Sequence, residues 1–390
     1  MLARFSQPTY ARPMSNDYRA GIAAGIAALA ARNFARAAEL LREASVEAPA
    51  SQFPWVALAN AELALKRNDA AEAALDHQLE LAPRDVGSLL HKGWLREQAG
   101  DARAASSYYQ TALNQAAVNG AVPPALSALH GHAGRYIGQA GVGFAAHLRE
   151  ALGTDLSPTM AEAMELLTGE RQLYFQQPGV FYYPGLSQRR FFNPAQFPWF
   201  EPMLGLLPAM QAELADVLDA GGDGFTPYVQ RTQNRPAPNN PLLDQQDWSA
   251  FHFWKDGEQI AENATRCPAT MQALEHAPMP QIPGRSPNAH WSRLLPGAHI
   301  LPHHGMLNTR LICHLPILTA PECTLRVGSE MRGWLDGVPL VFDDSIEHEA
   351  RNAGLQQRVV LLFEIWRPEI DTEDREAISR IFQAIEAYGT

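Results

Sequence analysis

The stretch LVFDDSIEHEARNAGLQQRVVLLFEIW, residues 340–366, decides how the C-terminal half is read. It opens on a short apolar run, passes through Asp343 and Asp344, and presents His348 just beyond the first strand. Ten residues later Arg358 heads the apolar run RVVLLFEIW. Working outward, similar short runs recur: WSAFHFW (248–254), HWSRLLP (290–296), RLICHLPIL (310–318) and CTLRVG (323–328). Gly and Pro turns separate them at short, regular spacing, the pattern of a sandwich or jelly roll. Upstream, QLYFQQPGVFYYPGLSQRRFFNPAQFPWF (172–200) is aromatic and extended, and reads as the entrance to this domain. One helix is expected from Phe200 to about Ala220, stopped by Gly221-Gly222, and residues 234–246 read as a mobile loop.

The N-terminal half has a different grammar. From about Asp17 to Ala117 it is Ala-rich, with apolar residues at helical spacing and almost no β-branched runs. ARNFARAAELLREASVEAP ends at Pro49, and LKRNDAAEAALDHQLELAP ends at Pro83, 34 residues later. A third copy begins with LLHKGWLREQAGDARAASSYYQTAL, in which Leu90, Leu95 and Gly100-Asp101 repeat Leu58, Leu63 and the Asn68-Asp69 turn. Small residues (Ala59, Gly93, Ala73, Ala105) stand where paired helices approach closely. A 34-residue helix–turn–helix period is that of tetratricopeptide repeats, which these segments resemble. The expected architecture is therefore multidomain: tetratricopeptide-like helical repeats over residues 1–168 and a jelly-roll (double-stranded β-helix) core over 169–390.

Composition narrows the function. With 31 basic against 42 acidic residues the net charge is −11, and no clustered basic surface is visible, so nucleic acid is not an expected partner. No membrane span is expected, because no run of 18 apolar residues occurs. The N-terminus lacks the apolar core of a secretory signal. Cys267, Cys313 and Cys323 cannot all pair and show no CxxC spacing, so a reducing, cytoplasmic setting is expected.

The chemistry is concentrated in the last third. His303 in ILPHHG and His348 in LVFDDSIEHEA are neutral imidazoles offered from two strands, a donor type suited to a borderline metal such as Fe(II). An Arg at the start of an otherwise buried strand is costly unless a carboxylate meets it, and the guanidinium fork of Arg358 binds such a group bidentately. Together these describe a two-His metal site beside a dicarboxylate pocket. His314 alternates with Ile312 and Arg310 on one strand face.

SRLLPGAHILPHHGMLNTRLICHLPI (292–317) and WLDGVPLVFDDSIEHEARNAGLQQRVVLLFEIWRPEI (334–370) resemble the aspartyl/asparaginyl β-hydroxylase family of Fe(II)- and 2-oxoglutarate-dependent oxygenases. P-H-x-G, N-x-R-L-x-x-H-L, F-D-D-S-x-E-H-E and the later Arg occur in order, over roughly residues 248–370. The resemblance implies that His303 and His348 ligate iron and that Arg358 grips the distal carboxylate of 2-oxoglutarate. Ser292 and His314 would position that cosubstrate, and Arg310 would meet an anionic substrate group. It also implies a hydroxylase using O2, acting most directly on the β-carbon of an Asp- or Asn-like residue in a peptide reached through the repeat groove. The alternatives are a free or carrier-bound amino acid, or a non-catalytic repeat and jelly-roll binding protein. Most 2-oxoglutarate oxygenases carry a carboxylate ligand where this chain has Gly305, a substitution the β-hydroxylases share. Whether Asp344 or Glu347 supplies a third ligand stays open. Where some family members have a second basic residue this chain has Ile312, which puts a preference for aspartyl side chains in doubt.

Overall fold

The computed structural model describes residues 17–120, 122–153 and 155–388. The chain divides into two compact units between Gly169 and Glu170.

The N-terminal unit is helical: α1 (Asp17–Ala30), α2 (Phe34–Glu47), α3 (Trp55–Ala64), α4 (Asn68–Leu81), α5 (Val86–Gln98), α6 (Ala102–Asn119), α7 (Ser127–Leu152) and α8 (Pro158–Thr168). The first six pair as three hairpins, and the second helix of each begins at Phe34, Asn68 and Ala102, 34 residues apart. The same period governs the turns. Arg32, Lys66 and Gly100 all take positive φ, at 58°, 59° and 77°. The turn expected at Asn68-Asp69 therefore falls two residues earlier, and Asn68 already belongs to α4. Packing repeats as well. Gly25 and Gly93 on the first helices face Leu41 and Tyr109 on the second, Ala59 and Leu75 share one buried cluster in the middle hairpin, and Leu41, Leu75 and Tyr109 are fully buried. A Cβ built on Gly93 would lie 2.5 Å from the Tyr109 ring, and one on Gly25 would lie 2.7 Å from Leu41. Small residues are thus what lets each hairpin close. No described helix is long and apolar enough to cross a membrane.

The C-terminal unit holds twelve strands: β1 (Phe191–Phe192), β2 (Thr226–Pro227), β3 (Trp248–Lys255), β4 (Glu258–Gln259), β5 (Ala289–Leu294), β6 (His299–His303), β7 (Arg310–Leu318), β8 (Cys323–Val327), β9 (Glu330–Gly333), β10 (Leu340–Phe342), β11 (His348–Asn352) and β12 (Arg358–Trp366). Its helices are α9 (Phe200–Gly205), α10 (Leu207–Asp219), α11 (Ala261–Arg266), α12 (Pro268–Glu275) and α13 (Thr372–Tyr388). The single helix expected from Phe200 to Ala220 is thus two. Pro208 lies in the first turn of α10, where its missing N–H is tolerated, so the helix stops and restarts.

The strands form two antiparallel sheets in the order β1-β10-β7-β12-β5-β3-β2, with β4 beside β3, and β6-β11-β8-β9. Alternation along each strand separates two faces of the large sheet. Phe251, Phe253, Trp291, Leu311, Cys313, Leu361 and Phe363 pack outward onto Met203, Met210, Leu214 and Leu274 of the helices. Trp248, Leu294, Ile312, Phe342 and Val360 pack inward onto Ile300, Leu325, Val327 and Ala350 of the small sheet. The result is a jelly-roll-like sandwich with helices on one side. The inner face carries the polar residues described next.

Candidate active site

β6 ends on His303 and β11 begins on His348, and the two residues are direct partners in the antiparallel ladder. That register brings their rings to 4.1 Å between centroids. The Nδ1 of His303 lies 2.8 Å from the Leu301 carbonyl, and the Nδ1 of His348 lies 3.1 Å from the Ile346 carbonyl. A carbonyl only accepts, so each Nδ1 carries the proton and each Nε2 is left with a free lone pair. Burial lowers the pKa of both; that of His348 falls to about 3, with His303 adding to the effect. The pair is therefore neutral at physiological pH, the state a metal requires.

The acidic residues around His348 do other work. Asp343 pairs with Arg367, both fully buried, and accepts from Gln176 at 2.6 Å. Glu347 and Glu349 pair with Arg326. The His348 ring is thus oriented by backbone carbonyls, those of Ile346 and Asp344, and not by one of these carboxylates. Asp344 is the exception in placement. Its backbone carbonyl accepts from Gly305 N–H at 2.6 Å, and a Cβ on Gly305 would come within 2.1 Å of its Oδ2. The Asp344 carboxylate fills the space that a side chain at 305 would need. Among the described residues no group of three His, Cys, Asp or Glu converges as a metal site, so the His pair stands as two donors.

Arg358 opens β12 on the same inner face and is 1% exposed. Its Nη1 donates to the Ser292 carbonyl at 3.1 Å, its guanidinium lies 4.5 Å over the Trp334 ring, and its Nε has no partner. No carboxylate meets it among the described residues. Asp343 and Glu364 meet other cations, Arg367 and Arg310. Trp334 also stacks on His314 at 5.9 Å and donates Nε1–H to its Nδ1 at 3.3 Å, which puts the remaining His314 proton on Nε2. Ser292 Oγ accepts from Trp248 Nε1 at 3.3 Å, and the Trp248 ring lies 6.5 Å from His303. Among the large aromatics of β3 and β5, Trp248 lies in the site. Phe253 and Trp291 belong to the helix-side core, with Trp254 packed against it.

Trp334 and Tyr228 were not singled out from sequence. Tyr228 stacks on Trp248 at 4.1 Å and neighbours His290 at 5.4 Å. Nothing in the local pattern marks either residue, since both reach the site from outside the motif-bearing strands. Arg310 shares the inner face as expected, but its terminal nitrogens are taken by Glu364 and, at 3.4 Å, by Asp344.

Residues 208–368 match the family described as Aspartyl/Asparaginyl beta-hydroxylase. The human aspartyl/asparaginyl beta-hydroxylase is 32% identical over 142 residues, 36% of this chain and 18% of that protein. Human aspartate beta-hydroxylase domain-containing protein 1 is 34% identical, over 55% of this chain and 54% of that protein. Mouse domain-containing protein 2 is 30% identical over 53% and 59%. The matched stretch of the C-terminal unit is similar to this family. The chain spans about half the length of the two domain-containing relatives and less than a fifth of the human beta-hydroxylase. Among solved structures, PcrH from Pseudomonas aeruginosa has 19% identity and a TM-score of 0.27, covering 33% of this chain and 95% of that one. The Sgt2 TPR domain from Aspergillus fumigatus has 20% identity and a TM-score of 0.29, covering 33% and 86%. In the matched region the motifs fall on the facing strands of the two sheets and at their turns, where the His pair, Gly305 and Arg358 stand.

Proposed function

We propose that this protein is an Fe(II)- and 2-oxoglutarate-dependent hydroxylase acting on an Asp- or Asn-like residue of a peptide. The observation that carries it is the His303–His348 pair with both Nε2 atoms free, beside a buried arginine that has no carboxylate. The two imidazoles would hold the iron. The two terminal nitrogens of Arg358 would take the distal carboxylate of the keto acid, with Ser292, His314 and Trp334 fixing its orientation. Bound there, the metal and cosubstrate supply the oxidation: O2 places one oxygen atom in a C–H bond as hydroxyl, and the other leaves in succinate with release of CO2. The residues themselves orient, exclude water and keep charge in place. Trp248, Trp334 and Phe342 wall the site from solvent, so an ion pair formed at Arg358 is little screened. The helical repeats are assigned the holding of the peptide.

The test is anaerobic loading with Fe(II), then succinate release with and without peptide. The expected result is succinate formation that disappears in His303→Ala and in Arg358→Ala. Folded protein that neither takes up Fe(II) nor consumes 2-oxoglutarate would leave a binding module instead.

A further inference from the structure

We infer that the reacting side chain enters the site as an uncharged carboxamide and not as a carboxylate; this rests on the hydroxylase reading and names its substrate class. The relevant residues lie on the inner sheet face, at the end of β12 opposite Arg358. Arg358 and Glu364 are six residues apart on one face of the strand, or about 20 Å. The end near Arg358 is cationic and unpaired. The other end is not.

Three observations set the charge there. Arg310 is the one guanidinium among the residues named at that end, and it is already held by two internal carboxylates, Glu364 and Asp344. Glu364 is 1% exposed and is pinned by two further hydrogen bonds, from Asn288 N at 3.0 Å and Asn288 Nδ2 at 3.2 Å. Next to it across the ladder stands Ile312, 7% exposed and apolar. A second carboxylate arriving at Arg310 would have to displace one of its partners or sit against both. Like charges at that range in a dry site disfavour entry, a common way of building discrimination.

The unmet hydrogen-bonding groups call for a different ligand. His290 is 2% exposed and neither ring nitrogen has a partner. Its neighbour His252, at 5.0 Å, has an unpartnered Nδ1. Burial keeps both imidazoles neutral, so each presents one donor and one acceptor. Asp344 Oδ1 is a buried acceptor without a partner, and Arg310 Nε is a buried donor without one. A primary amide carries two N–H donors and one carbonyl acceptor on a neutral frame. Arg310 and Asp344 lie side by side, so an amide there can donate N–H to Asp344 Oδ1 and accept Arg310 Nε–H through its oxygen, its second N–H facing the neutral, unpartnered imidazoles along the same sheet face. A carboxylate offers only acceptors and leaves Asp344 Oδ1 opposed by charge.

The experiment uses the full chain loaded with Fe(II), with 2-oxoglutarate and peptide pairs identical except for Asn or Asp at one position. Hydroxylation is read as a gain of one oxygen by mass spectrometry, with succinate measured in parallel. The expected outcome is a kcat/KM for the Asn peptides at least roughly ten-fold above that for their Asp partners. Glu364→Gln, which frees Arg310, and Ile312→Arg, which adds a cation on the same face, should each shrink or invert that ratio. Either variant suffices if the other fails to fold. Equal rates, faster Asp turnover, or succinate formation with neither peptide modified would overturn the carboxamide assignment. Loss of peptide-independent succinate formation together with loss of Fe(II) binding in the wild type would instead overturn the hydroxylase reading itself.

Discussion

His303 and His348 occupy one rung of the β6–β11 ladder, with ring centroids 4.1 Å apart and each Nδ1 tied to the carbonyl two residues before it. Strand pairing sets the separation of the rings, and a backbone hydrogen bond sets which nitrogen is free. Two neutral donors fixed this way need no rearrangement to meet a metal. His303→Ala and His348→Ala are each expected to abolish the rise in melting temperature that Fe(II) or Mn(II) gives the wild type. At a metal concentration 100 times Kd that rise corresponds to about 2.7 kcal/mol. A variant that keeps the full shift would sink the assignment.

Arg358 is a buried cation that meets no carboxylate among the described residues; Nη1 is held by the Ser292 carbonyl, the Cys323 thiol lies against the guanidinium, and Nε has no partner. Arg358→Met should therefore leave stability unchanged or raise it, while the 2-oxoglutarate KM rises roughly 100-fold or more through loss of two charge-assisted bonds. Arg358→Lys should recover only part of this, because an ammonium cannot form the paired contact. Calorimetric titration with 2-oxoglutarate on the metal-loaded protein measures it.

Gly305 and Asp344 compete for one space, since a Cβ at 305 would lie 2.1 Å from Asp344 Oδ2. Gly305→Ala is expected to cost about 1–3 kcal/mol, most of it recovered in the double variant Gly305→Ala/Asp344→Gly. Urea denaturation of the four proteins gives the coupling. Additive effects would show that the two sites do not share that volume.

In the repeats, Gly93→Ala drives a methyl group into the Tyr109 ring, whereas Gly134→Ala meets nothing within 4 Å. Both positions are helical, and Ala normally gains about 0.5–1 kcal/mol over Gly in a helix. The first change should destabilise and the second stabilise. Opposite signs in the urea midpoint are the expected result.

His252 and His348 have pKa values lowered to about 4 and about 3, and those of His290 and His314 lie well below the ordinary value, all chiefly through burial. The folded state then binds fewer protons than the unfolded chain, so stability is fully present above about pH 6.5 and declines as pH falls toward the folded values. Each such histidine contributes up to about 1.4 kcal/mol per pH unit. Asp344, raised to about 6 by burial, works in the opposite direction between its ordinary value and that pH and offsets one of them. For metal-free protein the urea midpoint should fall steadily from pH 6.5 to 5, and less steeply in His290→Gln. A flat profile would mean that these rings are solvated.

The sequence by itself determined the division into helical repeats and an antiparallel sandwich, because both rest on periodicity. A 34-residue spacing of small residues and turns is written in the chain, and so is the alternation that places His290, Ser292, Arg358 and Glu364 on one sheet face. It also held the motif that marks His303, His348 and Arg358. What it could not contain is what depends on residues distant in the chain meeting across the sandwich. The split of the helix at Pro208 is written locally in the chain. The pairing of Arg310 with Glu364 and Asp344, the Trp334 ring under Arg358 and the Asp344 carboxylate against Gly305 are not. Side-chain contact across strands depends on register and on which sheet covers which, and local pattern carries neither. Tertiary structure therefore decided the charge at each end of the pocket.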